Sequence, residues 1–249
     1  MNGPLFINIG NTHTQLAVEE GGRLRLLSVY DTSRMEDSLP ELEDNPGIEG
    51  FAVCVVPPAR RRLEAHYGGR MHFLDWHDFR TLDFSLVDTS TLGMDRIANA
   101  AAAFDIAKGP AIVVDCGTCV NTVVVDGRGR FLGGAILPGR NILRRGLHSH
   151  TAQLPLLELR DEVPPPIGRN TRDAIAAGTD LASVGALREV LSRTLECLPE
   201  KHMVYATGGD APYFLRALPG LLVPAPGHLT LHGVRLAAFG NLKNGVSIV

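Results

Sequence analysis

Three short segments combine glycine with polar residues in a pattern that could hold a phosphate chain. In Leu5-Phe6-Ile7-Asn8-Ile9-Gly10-Asn11-Thr12-His13-Thr14-Gln15 an apolar run ends in an amide, a spacer, a glycine and hydroxyl residues. Ile112-Val113-Val114-Asp115-Cys116-Gly117-Thr118 repeats this with a carboxylate in place of the amide. Apolar residues resume in both (Leu16-Ala17-Val18 and Val123-Val124-Val125) before a glycine-containing turn, Glu20-Gly21-Gly22 or Asp126-Gly127-Arg128-Gly129, so each copy reads as a β-hairpin. Such a turn gathers backbone N–H groups and hydroxyls around one concave point, which suits phosphate. The third segment, Thr207-Gly208-Gly209, is a strand running into a glycine turn, where a flat ring could approach the backbone without meeting a Cβ. Any one of these turns is more often structural than functional. All three in this order are more specific, and they outline a nucleotide cleft.

Two other constellations read differently. Cys116-Gly117-Thr118-Cys119 has redox-motif spacing, but it falls in a hairpin turn and not at a helix N-terminus, where a thiolate would be stabilised. His148-Ser149-His150, together with His13, lacks the partnered cysteines or acids of a zinc site and reads as solvated surface. The chain has no Gly-x4-Gly-Lys-Ser/Thr segment, which excludes a P-loop kinase.

Two hairpins with the same turn chemistry, one in each half of the chain, imply a duplicated α/β architecture. We place its halves at 1–107 and 108–249. Gly50–Val56 reads as a buried strand stopped by Pro57-Pro58, with a helix over 59–67. The Ala-rich stretch 95–107 is helical. A strand is expected over 132–139, a helix within 141–154, and a stiff connector at Pro164-Pro165-Pro166. Thr171 reads as the N-cap of a helix reaching about residue 198. A strand at 203–207, a helix from about Pro212 and a last helix from about Leu231 complete the pattern.

Composition narrows the partners. Across 249 residues, 24 Lys+Arg against 27 Asp+Glu give a net charge of -3, with 45% hydrophobic residues. The longest basic run is Arg60-Arg61-Arg62, which argues against nucleic acid or an anionic membrane as partner. The apolar runs are strand-sized, far short of the ~18–20 residues of a membrane span. Met1-Asn2-Gly3-Pro4 lacks the basic region of a signal peptide, so a cytoplasmic location is expected. Four cysteines, Cys54, Cys116, Cys119 and Cys197, are too few and too unevenly spaced for a disulfide framework.

At this point the chain resembles a known family: the type III pantothenate kinases and their Bvg-accessory-factor relatives, within the acetate kinase, sugar kinase, Hsp70 and actin superfamily. The likeness runs nearly end to end. It rests on Ile9-Gly10-Asn11-Thr12, Val56-Pro57-Pro58, Gly93-Met94-Asp95-Arg96, Asp115-Cys116-Gly117-Thr118, Gly133-Gly134-Ala135-Ile136 with Pro138-Gly139, Gly168-Arg169-Asn170-Thr171, Thr207-Gly208-Gly209 and Leu229-Thr230-Leu231. The resemblance implies a duplicated RNase H-like fold, a homodimer, and ATP-dependent phosphorylation of pantothenate with Mg²⁺ and a monovalent cation, K⁺ or NH₄⁺.

It also implies roles for individual residues. Asp95 matches the proton acceptor, and Arg96 could pair with the pantothenate carboxylate. Gly93, Met94 and Thr171 match substrate contacts. Asn8 through Gln15 (Asn8, Ile9, Gly10, Asn11, Thr12, His13, Thr14, Gln15), with Thr118, Gly208 and Gly209, match the ATP site. Asp115 matches the monovalent-cation site.

Several positions depart from the family pattern. Asn8 stands where the first hairpin normally has Asp, keeping an oxygen for a metal but losing its charge, so Mg²⁺ or a water it holds would bind more weakly. Leu86 stands where a substrate-contacting Tyr is usual, and Thr89 where a Pro is usual. In the second hairpin Asn121 and Val123 replace the usual Thr and Asp. Two further readings therefore stay open beside the kinase: a catalytically degenerate homologue that binds ligand as a regulatory or accessory protein, and a kinase of the same fold acting on another hydroxyl.

Overall fold

The computed structural model describes residues 3–35, 38–199 and 201–242, with only the backbone of Asn241 and Leu242. Met1 and Asn2, read above for a targeting signal, and the end of the expected second half beyond residue 242 lie outside the described residues. The elements are β1 (Leu5–Ile9), β2 (His13–Glu20), β3 (Arg23–Asp31), α1 (Pro40–Glu43), β4 (Gly50–Cys54), α2 (Pro57–Tyr67), β5 (Met71–Phe73), α3 (Met94–Ala107), β6 (Ala111–Cys116), β7 (Cys119–Val125), β8 (Phe131–Gly133), β9 (Ile136–Pro138), α4 (Arg140–Ser149), α5 (Thr171–Glu196), β10 (Met203–Thr207), α6 (Ala211–Ala217), β11 (Val223–Pro224) and α7 (Leu229–Leu242).

The duplication appears as two sheets with corresponding strand orders. In the first, β3-β2-β1-β4-β5, β1 runs antiparallel to β2 and parallel to β4. In the second, β11-β10-β6-β7-β8, β6 runs antiparallel to β7 and parallel to β10, and β9 also pairs with β7. Asn8 faces Gln15 across the first hairpin as Asp115 faces Asn121 across the second. The two segments recognised by their turn chemistry are thus equivalent strands of a repeated unit.

By compactness the chain divides into residues 1–106 with 129–131 and 226–249, and residues 107–128 with 132–225. The first cut falls beside the expected boundary, but the last helix, expected in the second half, belongs to the first unit. Residues 129–131 join that unit through backbone bonds from Asp83 N to Gly129 O (2.9 Å) and from Phe131 N to Asp83 O (2.8 Å).

The first unit follows from strand alternation. Leu5, Ile7 and Ile9 point to one face, where they pack with Leu16, Leu42 and Leu63. Phe6 points to the other and meets Phe239 of α7 edge-on, 5.6 Å between ring centroids. That face is covered by α7, which packs on β1 and β4. The small residues of α3 let α7 come close: Thr230 Oγ1 donates to Asn99 Oδ1 (2.8 Å), and a Cβ on Gly233 would lie 2.0 Å from the Ala98 carbonyl oxygen. In the second unit, Ile112, Val114 and Val124 pack with Val184, Leu187 and Leu191 of α5 and with Phe214 of α6.

Three expectations shift in detail. The strand expected over 132–139 is two short strands, β8 and β9. The helix within 141–154 ends at Ser149, where Thr151 Oγ1 donates to Leu147 O (2.7 Å). The cap of α5 is Asn170, not Thr171: its Oδ1 accepts from Asp173 N at 3.0 Å. Among the described residues no helix is long and apolar enough to cross a membrane.

Candidate active site

The predicted site residues fall into two groups, one on each unit. In the first unit the loop before α3 ends at Gly93, whose carbonyl accepts from Arg96 N (3.1 Å) and Ile97 N (3.3 Å) and so starts the helix. Asp95 lies in the first turn, where the N–H groups of the helix end favour negative charge. Its Oδ1 accepts from Arg96 N at 2.8 Å. A Cβ on Gly93 would lie 2.7 Å from that oxygen and 3.7 Å from Val55 Cγ1, so the helix start lies against the residue that follows β4.

Burial decides the chemistry of this pair. Desolvation pushes the Asp95 carboxyl above its ordinary value of 3.8, against the lowering effect of the Arg96 N–H and the Arg96 charge. Burial likewise pulls the Arg96 guanidinium below its ordinary value, and Asp95 only partly offsets this. Arg96 Nε is buried with no hydrogen-bond partner among the described residues. A half-buried carboxylate with raised proton affinity suits a general base, and a half-buried arginine with a buried, unused Nε donor suits an anionic ligand.

The first hairpin divides its predicted residues. Gly10, Asn11, Thr12 and His13 form the accessible tip, where Gly10 N donates to His13 O (3.0 Å) and Thr32 N to Thr12 O (2.9 Å). Gln15 is half-buried opposite Asn8. Two of the expected ATP-site residues have fully buried side chains. Ile9 is fully buried in the apolar core, and Thr14 is fully buried with its hydroxyl 3.0 Å from that of Thr32. Both side chains help build the turn. Asn8 Oδ1 is buried without a hydrogen-bond partner among the described residues.

In the second unit, Gly117 and Thr118 are the exposed tip of the β6–β7 hairpin, and Thr118 O accepts from Gly139 N (3.2 Å). The Thr207-Gly208-Gly209 turn lies directly against this hairpin. Gly208 has φ +91, and a Cβ there would fall 2.5 Å from Cys116 O and 2.6 Å from Asp115 Oδ1. Only glycine fits, so Asp115, Gly208 and Gly209 are gathered at one place. Asn121 Oδ1, across from Asp115, is a second buried amide oxygen without a hydrogen-bond partner among the described residues.

The remaining positions lie outside these groups. Leu86 is exposed, on an irregular loop, and Thr171 is exposed in the first turn of α5. Cys116 is fully buried and burial raises its thiol, so the Cys116/Cys119 pair offers no thiolate at that sulfur. No group of three or more His, Cys, Asp or Glu residues that could hold a metal occurs among the described residues. Sequence reading missed Arg140 and Asp210, which touch beneath the Gly208–Gly209 turn. Their separation of seventy residues left no local signal.

A family model described as type III pantothenate kinase matches residues 4–193. The type III pantothenate kinase of Acidothermus cellulolyticus is 37% identical, with 93% of this chain and 96% of that protein covered. That of Salinispora arenicola is 32% identical, covering 93% of this chain and 97% of the relative. Among solved structures, a conserved putative Baf family transcriptional activator from Campylobacter jejuni superposes with TM-score 0.62 at 17% identity, covering 96% of this chain and 98% of the other. A putative sugar kinase from Cytophaga hutchinsonii gives TM-score 0.52 at 14% identity, with 94% and 98% covered. At these identities the structural likeness speaks for the fold alone, a duplicated actin-like α/β fold.

Proposed function

The chain belongs to the type III pantothenate kinase family, and we propose that it transfers the γ-phosphoryl group of ATP to the primary hydroxyl of pantothenate, the first step of coenzyme A biosynthesis. The observation that carries this reading is Asp95, a half-buried carboxylate of raised proton affinity beside the buried, unpaired Nε of Arg96. As the hydroxyl oxygen bonds to the γ-phosphorus, Asp95 takes its proton. The bond from that phosphorus to the β–γ bridging oxygen breaks, and ADP leaves with the electron pair. Arg96 holds the pantothenate carboxylate and thereby aims the hydroxyl.

In the second unit the hairpin tip at Gly117–Thr118, with Gly208 and Gly209, supplies N–H and hydroxyl donors for ATP; in the first unit the tip at Gly10–His13 has the same chemistry. The orphaned oxygen of Asn8 fits Mg²⁺ or a water that Mg²⁺ holds, since Mg²⁺ is commonly bound by one or two protein oxygens together with substrate phosphates. The Asp115 carboxylate fits K⁺ or NH₄⁺. When bound, these cations neutralise charge on the phosphates. We place the enzyme in the cytoplasm, as a homodimer. Supporting the dimer, the second unit exposes Ile142, Leu147, Leu156, Leu159 and Ile167, the last 78% exposed.

The test is a coupled assay for ADP release with pantothenate, ATP, Mg²⁺ and K⁺. Pantothenate-dependent release is expected. None at saturating concentrations of both substrates refutes the assignment.

A further inference from the structure

Beneath the Gly208–Gly209 turn lies a cluster of four charged side chains, all but one of them almost fully buried. Arg140 is 1% exposed, Arg144 2% and Asp180 1%, while Asp210 is half-buried at the end of the turn. Arg140 Nε donates to Asp210 Oδ2 at 2.8 Å and its Nη2 to Asp210 Oδ1, a two-pronged contact across seventy residues of sequence. Its Nη1 donates to Asp180 Oδ2 (3.1 Å) and to Arg160 O (2.9 Å), and its guanidinium carbon lies 3.5 Å from the centre of the Tyr213 ring. Arg144 completes the set by donating to both oxygens of Asp180, at 2.9 and 2.8 Å, without touching Asp210. Two positive and two negative groups balance, so the cluster is neutral as a whole.

Burying three charges and half-burying a fourth is costly, and an apolar core of the same shape would serve stability as well or better. What the cluster supplies is position. Asp210 N donates to Cys116 O at 2.9 Å, while Gly208 is pressed against Cys116 and Asp115. The turn is therefore pinned by its backbone on one side and by the Asp210 carboxylate on the other. The planar fork of Arg140 fixes that carboxylate in orientation as well as in place. We infer that Arg140 is a positioning residue for nucleotide binding: through Asp210 it holds the Gly208–Gly209 turn in the shape that receives ATP. This rests on the nucleotide role proposed above for that turn.

The test compares three variants by equilibrium binding of a fluorescent ATP analogue, by steady-state kinetics and by thermal melting. Arg140→Lys keeps the charge but loses the fork, and Asp210→Asn breaks the same contact from the turn's side. Each should weaken nucleotide binding and raise the KM for ATP by about tenfold, with the KM for pantothenate unchanged and kcat at saturating ATP within about twofold. Arg144→Lys perturbs an equally buried arginine of the same cluster. It should lower the melting temperature comparably while leaving ATP affinity at the wild-type value. Unchanged ATP affinity in both Arg140→Lys and Asp210→Asn overturns the inference, as does an equal loss in Arg144→Lys. A wild-type protein that binds the analogue but does not phosphorylate pantothenate sinks the proposed function and leaves this inference standing. A wild-type protein that binds no nucleotide sinks both.

Discussion

Gly93 offers a way to move the Asp95 carboxylate without changing its chemistry. Its backbone is not in the left-handed region, so alanine is compatible with the chain conformation there. The added Cβ would sit at ordinary distances from Val55 Cγ1 (3.7 Å) and Asp95 Cγ (3.8 Å), and only Asp95 Oδ1, at 2.7 Å, obstructs it. Against the 3.4 Å where ordinary contact begins, the shortfall is about 0.7 Å. Relief comes most cheaply by rotating the carboxylate away, which also strains its bond from Arg96 N, 2.8 Å long. A misplacement of about 1 Å can cost about a hundredfold in rate, so Gly93→Ala should lower kcat by roughly ten- to a hundredfold. The fold should be little disturbed, because the seven residues from Ile97 to Ala103 anchor α3 by burial. The assay is pantothenate-dependent ADP release, run in the wild-type and in the Asp95→Ala background. If the added methyl acts through Asp95, it should cost nothing further once the carboxylate is gone. An unchanged kcat in the wild-type background, or an equal loss in both backgrounds, refutes the assignment of Asp95 as the base.

Asp95→Asn should reduce kcat by about 10²- to 10⁴-fold while leaving the Kd for an ATP analogue unaltered, since an amide cannot take the proton. The same variant should melt higher than wild type near neutral pH. Burial holds the folded carboxyl above 3.8, so the fold loses stability as pH rises from that value through the raised one, and the gap should close in acid. Asn8→Asp should lower the Mg²⁺ concentration needed for half-maximal activity and raise turnover; identical Mg²⁺ titrations in the two proteins would argue against Asn8 facing the metal. Gly233→Ala puts a Cβ 2.0 Å from a backbone oxygen of α3, which no rotamer can relieve. Calorimetry should show destabilisation of about 1–3 kcal/mol or more, and a wild-type melting temperature would contradict the close packing of α3 and α7.

The two hairpins were legible because glycine and polar residues at a strand end constrain local geometry strongly. The start of α3 was legible for a related reason: Gly93-Met94-Asp95-Arg96 precedes an alanine-rich stretch. β3 escaped notice because its pairing with β2 shifts register at Leu16/Ala17 and most of its residues are half-exposed, which blurs the alternation. That the side chains of Ile9 and Thr14 are buried was not legible, because sequence gives the order of turn residues but not which side chains face inward. The placement of α7 was beyond local reading altogether, since its pattern shows that it is a helix without showing which sheet it covers. The same holds for Arg140, Asp180 and Asp210. Each looks like ordinary surface charge in its own segment, and their contacts with one another exist only in three dimensions.

The return of α7 to the first unit bears on how the protein is made. During synthesis the ribosome releases β1 through α3 long before Leu229 to Leu242 emerge. Until then the Phe6 face of β1 lacks the helix that covers it, and the first unit waits as an incomplete nascent domain. The second unit, whose residues form a nearly continuous stretch, can close in the meantime. Vectorial synthesis would therefore favour the later-made unit finishing first. The final step joins segments some two hundred residues apart, a closure whose entropic cost grows only slowly with length but whose delay leaves apolar surface open to chaperones or aggregation.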